Sequence, residues 1–156
     1  MKKRIMVDMS ATLIHHGHVR LLKQASEMGY VVVALTTDDE IQTKKGYASE
    51  LSYSERKEVL ESIRYVDEVV PCNWLIDNDF LIEHDIDILA HGCDNSNHIP
   101  EEKLVIFPRT EGVSSSELRE RVLDSLVSMN LNGKKGPSDK IAHMLINTIK
   151  SEFKLD

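Results

Sequence analysis

The chain has 156 residues, enough for one domain with a real core, and its 41% hydrophobic and 29% charged residues are ordinary for a globular protein and argue against disorder. The formal net charge is −7, and the last 30 residues hold five lysines against three acids, so the first 126 residues carry −9. An acidic body argues against a polynucleotide partner, because nucleic-acid binders present a basic face on a basic domain. No apolar run approaches the roughly 18–20 residues that span a bilayer. The start, Met1-Lys2-Lys3-Arg4, has no cleavable-signal pattern, and Cys72 and Cys93 form no Cys-x-x-Cys pair. The expectation is a cytoplasmic protein with no membrane partner, no disulfide scaffold and no zinc site.

The first strand is expected at 4–9. A helix follows at about 18–28, where Val19, Leu22, Ala25 and Met28 share one face and Gly29 is placed to stop it. Val31-Val32-Val33-Ala34-Leu35 makes 30–36 a strand covered on both faces, followed by a polar loop that contains Lys44 and Lys45. Ser52 with Glu55 is a capping box for a helix at 53–65, whose buried face is Val59, Leu60, Ile63 and Val66. Further strands are expected at 67–70, 86–90 and 103–107, with a helix at 77–84. Ser114 with Glu117 is a second capping box, opening a helix at 115–129 with Leu118, Val122, Leu126 and Met129 on one side.

Residues 130–137 read as a linker, and Ile141, Met144, Leu145, Thr148 and Ile149 as one face of a last helix at 138–152. That helix is expected to pack on its own domain or on a dimer mate, docking of another protein being the sharper alternative. The organisation is therefore a domain at 1–129 with a linker and C-terminal helix at 130–156. Alternation of strands and helices predicts an α/β fold, a Rossmann-like doubly wound parallel five-stranded sheet in the order 3-2-1-4-5 with a C-terminal helical extension. Ligands bind such sheets at the carboxyl ends of the strands, at the switch between the first and fourth. The segments 15–18, 91–94 and 109–116 all fall there.

Two of these segments carry chemistry. His15-His16-Gly17-His18 lies where the first strand gives way to a helix, and a helix start offers unpaired N–H groups and partial positive charge to an anion such as phosphate. Gly17 allows close backbone approach. The alternatives at this point are a metal site and a merely exposed loop, although no Glu completes a His-Glu-x-x-His zinc helix. After the fifth expected strand, Arg109, Thr110, Ser114 and Ser115 offer a guanidinium fork, hydroxyls and a second helix start to an anion.

The run Arg109-Thr110-Glu111-Gly112-Val113-Ser114-Ser115 resembles the Arg-Thr-Glu-Gly-Ile-Ser-Thr signature of bacterial glycerol-3-phosphate cytidylyltransferases, within the His-x-Gly-His nucleotidyltransferase superfamily. Segments 52–57 and 63–71, and Asn73-Trp74 after them, also match, and the resemblance runs from about residue 4 to residue 126. Two segments depart from it. Met9-Ser10-Ala11-Thr12 stands where the family has Gly-Thr-Phe-Asp, and Gly92-Cys93-Asp94-Asn95 where it has Gly-Asp-Asp-Trp. The first of these resembles the nucleotidyltransferase domains fused to phosphoenolpyruvate mutases in phosphonate pathways.

The resemblance implies a cytidylyltransferase that moves CMP from CTP to a small phosphate or phosphonate monoester and releases pyrophosphate. Mg²⁺ is expected to ride on the triphosphate, with no protein metal ligands, and a homodimer is the family's habit. It implies catalytic roles for His15, His18, Arg109 and Lys44, with Lys45 in reserve. It places the nucleotide on Met9, Ser10, Ala11, Gly17, Asp94, Thr110, Ser114 and Ser115, and the acceptor on Thr12, Arg56 and Trp74. Arg56 and Arg64 are read equally as structural ion-pair members. The rival readings are a phosphonate acceptor such as 2-hydroxyethylphosphonate, an ATP-using adenylyltransferase, and a non-catalytic nucleotide-binding module.

Overall fold

The computed structural model describes residues 2–131, 144–145, 147–148 and 151. The chain forms two compact units, one ending at Glu111 and one beginning at Gly112. The first is a five-stranded sheet in the order β3-β2-β1-β4-β5. In chain order it runs β1 (Arg4–Met9), α1 (His16–Met28), β2 (Tyr30–Thr36), α2 (Asp38–Lys45), α3 (Tyr53–Glu61), β3 (Glu68–Cys72), α4 (Asn78–Glu83), β4 (Ile88–Gly92), a short 3-10 turn at Glu101–Lys103, and β5 (Leu104–Phe107). Every strand pair is parallel, with Met9 beside Leu35 and Gly92 beside Phe107, so the strands end at one edge of the sheet. This is the expected doubly wound α/β topology.

Alternation along the strands divides the core in two. Ile5, Val7 and Met9 of β1 join Val31, Val33 and Leu35 of β2 against Leu22 and Ala25 of α1 and Leu60 of α3. On the opposite face Met6, Val32, Ala34 and Leu89 pack with Val70, Cys72, Ile76, Leu81 and Ile86. Asp8 follows Met6 on that second face, an acid at the carboxyl end of an otherwise apolar strand.

Several expectations shift. The polar loop expected after β2 is the helix α2. Its first turn carries Asp38, Asp39 and Glu40 and its last Lys44 and Lys45, a charge order that suits the helix dipole, but only Ile41 is buried. With one buried residue, no apolar periodicity marks it. The helix expected at 53–65 ends at Glu61, where Ile63 and Val66 are held by tight backbone bonds to the Leu60 and Ile63 carbonyls. Ile63 and Val66 still pack on the core, whereas Val59 is exposed.

The second unit contains α5 (Ser115–Leu131). Ser114 caps it as expected, its Oγ accepting from the Glu117 N–H at 3.1 Å. Of the helix expected at 138–152, residues 144–145, 147–148 and 151 are helical, and the remainder lies outside the described residues, as does most of the expected linker.

Gly29 between α1 and β2 sits where a Cβ would run into the Lys3 carbonyl oxygen, which accepts the Tyr30 N–H at 2.8 Å. Gly29→Ala is therefore expected to destabilise the fold by about 1–3 kcal/mol, as overpacked sites do. Thermal unfolding checks this, and an unchanged melting temperature would show that the β1 end gives way freely.

Candidate active site

The loop between β1 and α1 begins under strain. Ala11 is buried and holds φ at 45°, in the left-handed region that a residue with a Cβ rarely adopts. It turns the chain sharply from Ser10 into His15, the N-cap of α1. Here the histidines do something the sequence did not suggest. His15 Nδ1 accepts the Gly17 N–H at 3.1 Å, and His18 Nδ1 accepts the His15 N–H at 3.2 Å. The His18 N–H goes to the His15 carbonyl at 3.0 Å. The two rings form a reciprocal capping box, with centroids 3.9 Å apart.

A neutral imidazole that accepts at Nδ1 carries its proton on Nε2. The first turn therefore offers an anion two oriented ring N–H donors, while the Gly17 and His18 backbone N–H groups expected to serve it are already used. Burial, then the proximity of His15 and Lys45, pushes His18 down to about 4, so it works as a neutral donor rather than as a charged one.

Lys45, not Lys44, is the lysine at this place. Lys44 is exposed, whereas Lys45 Nζ donates to Ser10 Oγ at 3.1 Å and lies 5.6 Å from the centre of the Trp74 ring. Trp74 is held in turn through its backbone N–H on Glu40 Oε2 at 2.8 Å. Ser10, His15, His18, Lys45 and Trp74 thus form one cluster at the carboxyl edge of the sheet. α2 delivers Lys45 and Glu40 to it.

Two residues expected to meet an acceptor do other work. Arg56 is fully buried and donates to the carbonyls of Leu51 (3.1 Å), Ser10 (2.6 Å) and Thr36 (2.9 Å) and to Asp38 Oδ1 (2.6 Å). It fixes the loops after β1 and β2 instead of lining a pocket, the structural ion-pair reading of this arginine. Asp38 completes the joint by accepting the Tyr53 N–H at 2.8 Å, tying α2 to α3. Thr12 is also fully buried, so no acceptor reaches it in this conformation. Met9 is in the core below the loop, and Arg109 and Asp94 are exposed, Thr110 being half-buried. Ser114 and Ser115 begin the second unit's helix.

The sequence reading also missed an ion pair between β1 and β4. His91 Nε2 lies 3.4 Å from Asp8 Oδ1, both side chains being largely buried, and His91 Nδ1 donates to the Gly92 carbonyl at 2.9 Å. No partner meets hydrogen-bond geometry at Oδ1, so His91 is its neighbour as an ion pair. Burial alone would lower the His91 pKa, but Asp8, the Gly92 carbonyl and Asp94 outweigh it and raise it to about 9.

Among the described residues no three His, Cys, Asp or Glu side chains converge as a cation cage, and no helix is long and apolar enough to cross a membrane.

Residues 10–121 match the family model described as cytidylyltransferase-like. The chain belongs to the cytidylyltransferase-like family. It is similar to glycerol-3-phosphate cytidylyltransferase of Bacillus subtilis, 38% identical over 77% of this chain and 97% of that protein. The enzyme of the same name from Staphylococcus aureus is 37% identical over 77% of this chain and 95% of its own. Among solved structures, the lipopolysaccharide core biosynthesis protein of Thermoplasma volcanium aligns with a TM-score of 0.55 at 19% identity, over 69% of this chain and 96% of that one, a likeness of fold.

The two histidines of this cytidylyltransferase-like chain give opposite pH dependences. His18, depressed to about 4 from 6.5, contributes stability present above pH 6.5 and lost as the pH falls toward 4. His91, raised to about 9, contributes stability present below pH 6.5 and lost as the pH rises through 9. Ring-nitrogen NMR is expected to give midpoints near those two values, with His18 as the Nε2–H tautomer. Midpoints near 6.5 for both would contradict the geometry.

Proposed function

We propose that the protein transfers CMP from CTP to a small alcohol phosphate of the glycerol 3-phosphate kind, releasing pyrophosphate. The observation that carries this reading is the His15–His18 pair, two ring donors fixed beside Lys45 in a cytidylyltransferase-like chain. The similarity to two glycerol-3-phosphate cytidylyltransferases supports the nucleotide and the acceptor class.

An oxygen of the acceptor phosphate attacks the α-phosphorus of CTP. The bond from that phosphorus to the bridging oxygen of the β-phosphate breaks, and pyrophosphate leaves in line. A phosphate dianion is already nucleophilic near neutral pH, so no general base is needed. The protein's task is alignment and the offsetting of charge on the phosphates. The ring N–H groups of His15 and His18 donate to the triphosphate. Lys45 brings positive charge beside Ser10, where the backbone turns under the nucleotide. Arg109 serves as a fork for phosphate oxygens. Asp94 contacts the ribose or base, and Trp74 borders the acceptor. Mg²⁺ would be held by triphosphate oxygens and water and would offset their charge, needing no protein cage. We further infer a homodimer and a cytoplasmic place of action.

Pyrophosphate release tests the proposal, with CTP or ATP and Mg²⁺ against glycerol 3-phosphate, 2-hydroxyethylphosphonate, 2-aminoethylphosphonate, phosphocholine and phosphoethanolamine. Turnover is expected with CTP and an alcohol phosphate. Lys45→Ala is expected to lower kcat/KM by roughly tenfold or more, the loss of a charged hydrogen bond, and Lys44→Ala to leave it within about twofold. Turnover with ATP alone, or none across the panel, would overturn the assignment.

A further inference from the structure

Asp8 is a carboxylate on a strand whose neighbours Ile5, Met6 and Val7 are fully buried and apolar. An acid in that position costs desolvation, and it persists only where its partners repay the cost in fixed geometry. Its partners come from β4 and from the loop that follows it. Oδ1 faces His91 of β4 at 3.4 Å. Oδ2 accepts from Asn97 Nδ2 at 2.9 Å.

Asn97 is buried and carries the connection further. Its Oδ1 accepts the Ile76 N–H at 3.0 Å, and its own N–H goes to Asn95 Oδ1 at 3.1 Å. Asp77 and His98 then form an isolated parallel bridge. One carboxylate thus ties the loop after β3, which bears Trp74, to the loop after β4, which bears Asp94, and both to β1 immediately before Ser10. These loops border the switch between β1 and β4, where a doubly wound sheet takes its ligand.

We propose that Asp8 and His91 are positioning residues for CTP, an ion pair that through Asn97 sets the spacing of the loops at 10–15, 73–77 and 92–97. The inference rests on the cytidylyl-transfer reading for the identity of the nucleotide. Neither side chain needs to touch CTP. Their effect passes through the loops that do, so the loss should be of affinity, read separately from stability.

Asp94 and Cys72 also face the pair. Asp94 Oδ1 lies 3.8 Å from His91 Nδ1. The Cys72 thiol of β3 is pushed up to about 12 by burial and then by Asp8, so it stays neutral across the working range. The pair therefore breaks when His91 loses its proton, near pH 9.

Titration calorimetry with CTP and Mg²⁺ tests this on the full chain, using wild type, Asp8→Asn, His91→Gln and the double variant at pH 7.5 and 9.5, with melting temperatures alongside. Each single variant is expected to weaken CTP roughly tenfold at pH 7.5, and the double variant no further, the signature of a coupled pair. Wild type at pH 9.5 should fall part of the way toward the singles, which should themselves lose the pH dependence, with Asp8→Asn and His91→Gln agreeing even if one of them is less stable. Additive losses, unchanged affinity, or a wild type that fails to bind CTP would overturn the proposal. If CTP binds with the expected pattern while wild type releases no pyrophosphate with any acceptor, the transfer reading fails and the positioning role stands.

Discussion

The first turn of a helix has backbone N–H groups that no carbonyl of its own can reach, and something must accept from them. In this chain two imidazoles meet that need at α1. Because each ring accepts through Nδ1, each is left with its proton on Nε2. The capping requirement and the tautomer are one constraint. It turns two histidines three residues apart into donors of fixed direction, and burial keeps His18 neutral so that it remains one. The strained Ala11 backbone is part of the same arrangement, since it brings β1 round into the N-cap within a few residues.

Around that turn, buried charge does the work of aligning loops. Arg56 reaches from α3 to carbonyls at the ends of β1 and β2 and to Asp38 of α2, so the loop carrying Ser10 and the helix carrying Lys45 are set against one another. Asp8 does the corresponding work on the other side of β1 through His91 and Asn97. Such charges add little to stability, because desolvation offsets most of their attraction. What they contribute is a defined separation between loops that apolar contacts alone would hold less strictly.

Much of this was legible in the sequence. Continuous apolar runs and capping boxes placed all five strands and four of the helices, because a strand covered on both faces and a Ser-x-x-Glu helix start leave local marks. α2 left none, since Ile41 is its only buried residue, and with α2 unseen the choice between Lys44 and Lys45 could not be made. The histidine segment was legible as the junction of a strand and a helix start, but not the use of its rings as caps, because that depends on the φ of His15 and Ala11 rather than on residue type. Arg56 could be read as a ligand or as a structural ion, and only its burial separates the two. Asp8 and His91 are 83 positions apart and meet only once β1 and β4 are neighbours, a pairing the topology implied but no motif announced.

The account turns on the claim that His15 is both a cap and a donor, and His15→Asn separates the two roles. Asparagine is among the best N-caps, so the helix start should survive, while the Nε2–H is removed. The decisive measurement is CTP-dependent pyrophosphate release by this variant beside its melting temperature. The account predicts a melting temperature within a few degrees of wild type and turnover reduced by roughly 10²–10³, as for loss of a preorganised donor. Wild-type turnover in a stable variant would contradict it, and would leave the ring as a structural cap alone.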